Sequence, residues 1–94
     1  MRLSRAEVLT SHAVSYLRQL CEHWAQEFPV EFDDAHGKIT LPKAYVTLMS
    51  SPTMLSVYLE ITDATDQDRM EEVVAEQLQK IASAHVLAFH WLHS

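Results

Sequence analysis

Six histidines, one cysteine and thirteen carboxylates are the side chains of this 94-residue sequence with the means to move protons, hold a metal ion or attack a carbonyl. Spacing decides whether any of them can act together. His12 and His23 share nearly one azimuth on an ideal helix, but eleven residues at about 1.5 Å each set them roughly 16 Å apart, too far for one ion. His90 and His93 have the offset of a helical ligand pair, yet they fall where the pattern is that of a strand, and an odd offset there sends them to opposite faces. No metal site is assigned. Cys21 and His23 stand about 200° apart around a helix, so the imidazole cannot serve the thiol as a base, and Cys21 reads as a small buried hydrophobe. Asp33 and Asp34 open a turn, while Asp66, Asp68, Glu71 and Glu72 suit the positive end of a helix. One glycine leaves no room for a phosphate loop, and neither a nucleophile elbow nor a zinc-protease motif is present. No catalytic residue and no cofactor are assigned, and an enzyme is the less favoured class.

His23 keeps one opening. With Tyr16 and Gln19 it lies on the flank of the first helix, where a polar tip can meet a ligand, a partner or a sheet-edge carbonyl. A metal or haem carrier, or a small enzyme, centred on His23 with Tyr16 beside it is therefore the alternative reading.

The elements that position these residues follow from periodicity. From Ser11 to Phe28, Ala13, Val14, Leu17, Leu20, Cys21, Trp24 and Phe28 keep the spacing of one helix face, with Thr10 or Ser11 as cap and Pro29 as stop. A second helix is expected from about Asp66 to Ala84, burying Met70, Val73, Val74, Gln77, Leu78, Ile81 and Ala82, with Thr65 and Asp68 as a capping box. Between them the period becomes two. Val30 and Phe32 form one strand, Asp34 to Gly37 a turn with Gly37 supplying positive φ, and Ile39 and Leu41 the next strand, ended by Pro42-Lys43. Ala44 to Met49 and Met54 to Thr62 then alternate around a Ser50–Thr53 turn, Leu87, Phe89 and Trp91 suggest a last strand, and Ala6 with Val8 a weaker first one. The order β-α-β-β-β-β-α-β predicts an α+β two-layer sandwich, a mostly antiparallel sheet with two helices on one face, as a single domain over residues 1–94.

A four-residue loop at Ser50–Thr53 would pair Met49 with Met54, Thr47 with Ser56 and Tyr45 with Tyr58. The strip Tyr45, Met49, Met54 and Tyr58 then faces away from the helices, where a solvated sheet would carry more charge. Such a strip suits self-association or a protein partner.

Composition narrows the rest. At 48% hydrophobic and 21% charged the chain folds, a lone cysteine fits a reducing compartment, and a formal charge of −6 opposes nucleic acid. No apolar run has the roughly 20 residues of a membrane span, and the start Met1 to Glu7 breaks up before a signal-peptide core, so the expected location is the cytoplasm.

Tyr16-Leu17-x-x-Leu20-Cys21-x-His23-Trp24, then Pro29-Val30-Glu31-Phe32-Asp33, His36-Gly37-Lys38-Ile39, Val73-Val74-Ala75, Leu78 and Trp91 together resemble the bacterial domain-of-unknown-function family numbered 2218. The similarity covers nearly the whole chain, and Leu-Cys-x-His before Pro-Val-Glu is its most specific part. What it implies about function is a context: some members are joined to, or encoded near, siderophore-interacting flavoproteins, so an iron-siderophore link is expected. Gln26, Gln77 and Ala84 stand where the family pattern has two histidines and a basic residue.

Overall fold

The computed structural model describes residues 2–82 and 87–93. Its elements are β1 (Arg2–Leu9), α1 (Ala13–Trp24), β2 (Val30–Phe32), β3 (His36–Leu41), β4 (Ala44–Ser50), β5 (Met54–Ile61), a 3-10 turn (Ala64–Asp66), α2 (Gln67–Ile81) and β6 (Leu92–His93). All six strands form one antiparallel sheet in the order β2-β3-β4-β5-β1-β6. The predicted α+β sandwich and its element order are realised.

Alternation builds the core. Ala6 and Val8 of β1, Ile39 and Leu41 of β3, Ala44, Val46 and Leu48 of β4, and Leu55, Val57, Leu59 and Ile61 of β5 point to the helix side and are buried. All of them but Ala6 meet Ala13, Tyr16, Leu17, Leu20, Cys21 and Trp24 of α1, and Val74 and Leu78 of α2, in one cluster. Removing these side chains from water at about 25 cal/mol per Å² of apolar surface is the main force holding the two layers together.

Several local expectations are corrected. The helix α1 ends at Trp24, not Phe28: the amides of Glu27 and Phe28 both donate to the Trp24 carbonyl as the chain tightens before Pro29. Val14 is 42% exposed rather than part of the buried stripe. Gly37 adopts no positive φ and lies within β3. The turn before it is made by Asp33, whose carboxylate accepts from the Ala35 and His36 amides at 2.8 Å each. A Cβ on Gly37 would lie 2.7 Å from Cys21 Sγ, so glycine is needed here to let α1 approach the sheet.

The β4–β5 register is shifted by two residues from the predicted one. Ser51 donates its amide to the Met54 carbonyl, which leaves a two-residue loop, Pro52-Thr53, and sets Tyr45 opposite Glu60, Thr47 opposite Tyr58 and Met49 opposite Ser56. An even shift preserves the faces, so the predicted inward set is unchanged.

Thr65 is not the capping residue of α2. Its amide and hydroxyl both donate to the Asp63 carboxylate, at 3.0 and 2.9 Å, and Asp63 thereby starts the 3-10 turn that leads into the helix. On α2 the buried residues are Glu71, Val74 and Leu78, with Met70, Val73, Gln77 and Ile81 half-buried. The predicted end of that helix at Ala84 lies outside the described residues. Leu87, Phe89 and Trp91 are not a strand: they pack against the core from an irregular stretch, the Phe89 and Trp91 rings stacked at 6.1 Å, and Leu92 and His93 are the described residues of this C-terminal stretch that pair with β1. The weaker predicted first strand is, in contrast, eight residues long and paired with β5 along its whole length.

Candidate functional site

Because both helices lie on one side, the other side of the sheet is a surface of outward side chains in register. One row crosses all six strands: Glu31, Lys38, Thr47, Tyr58, Arg5 and Leu92, each opposite the next. Beside it run Thr40, Tyr45, Glu60 and Leu3 on one flank and His36, Met49, Ser56 and Glu7 on the other. The two-residue shift replaces direct pairs in the Tyr45, Met49, Met54 and Tyr58 strip with diagonal ones. Tyr45 is diagonal to Tyr58, Tyr58 to Met49, and Met49 to Met54, about 7 to 8 Å apart at the backbone and within reach of long side chains. Tyr45 and Met49 are 49% and 41% exposed, while Tyr58 and Met54 are half-buried.

Sequence reasoning missed three apolar members of this surface: Leu3, Leu92 and Leu9, the last 81% exposed and opposite Met54. Leu3 is 43% and Leu92 57% exposed, and they extend the zigzag from Tyr58 to the far edge, since Leu3 is diagonal to both. With Arg5, Thr47 and Glu60 they rim a depression of about 550 Å³. The alternation of β1 would have shown Leu3 once that strand was extended past Ala6; Leu92 lies out of phase with Leu87, Phe89 and Trp91 and carried no periodic signal.

A second constellation was also missed, at the β1–α2 junction on the helix side. Glu71 is buried, and its Oε2 accepts the Ser4 hydroxyl at 2.6 Å and lies 2.6 Å from His93 Nε2; Gln67 Nε2 donates to Ser4 Oγ at 2.8 Å. Among the described residues no fully buried side-chain nitrogen or oxygen lacks a partner, as burial of a carboxylate requires. Ser4 and His93 both contact the same glutamate oxygen, and the group fastens β6 and β1 to α2. Glu71 shares the stripe of Val74 and Leu78, three and seven residues on; a carboxylate in that stripe was the available sign.

The histidine candidates are dispersed. His23 is exposed at the last turn of α1, while Tyr16 is buried with its ring 5.8 Å from that of His12. His36 faces Asp33 at 3.9 Å, and His93 is engaged by Glu71. Among the described residues no three His, Cys, Asp or Glu side chains gather as metal ligands would. Burial, with the charge of Glu22 second, pushes the Cys21 thiol up to about 11, away from the reactive thiolate. Among the described residues no helix is long and apolar enough to cross a membrane.

The comparisons with known proteins agree with this geometry at the level of fold and family. A family model described as an uncharacterized protein conserved in bacteria, DUF2218, matches residues 5–92. The NMR structure of PA4090 from Pseudomonas aeruginosa is similar with a TM-score of 0.81 and 30% identity, over 98% of this chain and 96% of that one. No curated protein matches the sequence.

Proposed function

Since the chain belongs to DUF2218, a bacterial family described as uncharacterized, its function has to be read from its own surface, and we propose that it is a protein-interaction module that pairs with a second copy through the open face of its sheet. The observation that carries this is the exposure of Leu3, Tyr45, Met49 and Leu92, at 41 to 57%, on one continuous face. A large apolar surface in water is unfavourable and is characteristic of contact sites. The molecule measures 32 × 27 × 20 Å, so its broad face offers a footprint on the order of the 800 Å² that each partner gives a stable interface.

Charge favours a second copy over an acidic or basic partner of one sign. Arg5 and Lys38 share the face with Glu7, Glu31 and Glu60, so a two-fold axis can set basic residues against acidic ones although each copy carries −6 in total. A cytoplasmic setting is part of the proposal, supported by the lone buried thiol. The iron-siderophore setting rests on the family resemblance alone, and the proposed interface does not depend on it.

The test is sedimentation across a concentration series, comparing the wild-type chain with the double variant Tyr45→Ser, Tyr58→Ser, and circular dichroism to establish that both are folded. Association in the first and a folded monomer in the second is expected. A wild-type chain that stays monomeric throughout, or a folded double variant that associates as before, overturns the proposal.

A further inference from the structure

A hollow on the helix side, away from the open face, lies where α1 ends, the β3–β4 turn passes and α2 begins. Its volume is about 290 Å³, and its apolar walls are Trp24 and Phe28, Met70 and Val73, and Leu41 with Pro42. Trp24 and Leu41 are almost fully buried, whereas Phe28, Met70 and Val73 are half-buried. Local structure explains the gap: α1 stops at Trp24 with Phe28 folded back onto its carbonyl at 2.8 Å, and α2 begins only after the 3-10 turn, so neither helix extends over the Leu41–Lys43 corner.

The rim is polar and carries net positive charge. It consists of Lys43, Asp66 and Arg69. Lys43 Nζ lies 3.7 Å from the Asp66 carboxylate, which is largely buried, so that pair is neutral. Arg69, exposed and in no ion pair among the described residues, is the lining residue whose positive charge has no carboxylate beside it, on a chain whose total charge is −6.

We propose that this hollow binds a small amphipathic carboxylate, its chain or ring lodged between Trp24, Phe28 and Met70 and its head group on Arg69. The apolar walls reject strongly hydrated ligands, and a volume near the bottom of the roughly 300 to 1,000 Å³ range of ligand pockets admits a medium-chain or aromatic acid but nothing larger. The guanidinium fork matches the two oxygens of a carboxylate, which selects against neutral and cationic amphiphiles of the same shape. Met70 is the adaptable wall, since an unbranched thioether side chain re-packs around different apolar shapes.

Octanoate is the probe, and Trp24 is the reporter once Trp91→Phe has removed the second tryptophan. Saturable change of Trp24 emission is expected with octanoate. Octanol should bind about tenfold or more weakly, as should octanoate with Arg69→Gln, because each loses one charge-assisted bidentate contact. Arg69 is exposed, so that variant should keep the wild-type melting temperature, and Val73→Trp, which fills the hollow, should abolish binding. No saturable response to octanoate, equal binding of octanol, or unchanged affinity in Arg69→Gln each overturns the proposal. The Tyr45→Ser, Tyr58→Ser chain should bind octanoate normally, which separates this site from the open face.

Discussion

At the scale of single residues, Gly37 and Cys21 form one packing unit. The helix comes so close to β3 that any Cβ at position 37 enters the space of the Cys21 sulfur, 2.7 Å away, and then meets Leu17 at 3.5 Å. Gly37→Ala should therefore destabilise the fold by about 1 to 3 kcal/mol through overpacking. Adding Cys21→Ala, which removes the sulfur, should restore much of the loss, so the double variant is more stable than the two single losses would sum to. Chemical denaturation of the four proteins in the cycle measures this, and simple additivity would show that the two positions do not share the space. The sequence showed Cys21 as core, but it presented Gly37 as a turn residue. A glycine beside Asp, Ala and His has the local chemistry of a turn, and only the approach of a helix sixteen positions away reveals the other reason for it.

At the scale of elements, what was legible was whatever repeats. The stripe of α1, the alternation of β4 and β5 and the shared apolar face were all readable because burial acts at every turn or every second residue. Ends and single contacts were not. The Pro52-Thr53 loop, the start of α2 and the His93–Glu71 contact each depend on one or two bonds that carry no period. Two such ends share a device that makes them sensitive to acid. Asp33 accepts the His36 and Ala35 amides, Asp63 accepts the Thr65 amide and hydroxyl, and those bonds hold both carboxylates below their ordinary value of 3.8. A depressed folded value means the stabilisation is complete above the unfolded carboxylate's value and is lost as pH falls through the folded one. Denaturation midpoints should therefore drop below about pH 4, and Asp33→Asn with Asp63→Asn should flatten that limb by lowering the midpoint at neutral pH, where the ionised carboxylates contribute in full. An acid limb as steep in the double variant as in the wild type would assign the effect to other groups.

At the scale of the whole molecule, charge sets how readily copies meet. The chain carries −6 with its histidines neutral, its isoelectric point is about 5.3, and protonating all six histidines takes the formal charge to zero. Repulsion between copies fades as the pH falls toward the isoelectric point, so association should tighten between about pH 8 and about pH 6. Sedimentation at matched ionic strength measures it; an association constant that is flat or falls over that interval contradicts the self-pairing reading.

The position of β1 has a consequence in time. β2, β3, β4 and β5 each pair with their neighbour in the chain, but β1, first in sequence, lies between β5 and β6: Arg2 meets Ile61 and Leu9 meets Met54. Every hairpin of the meander closes across a few residues, whereas β1 must be brought back over α1 and four strands, and the entropy of closing so long a loop has to be met before any of its bonds form. The return of the first strand is therefore expected to be slower than the closure of any hairpin in the meander, and until it returns Ser4, Ala6 and Val8 lack their native neighbours on β5.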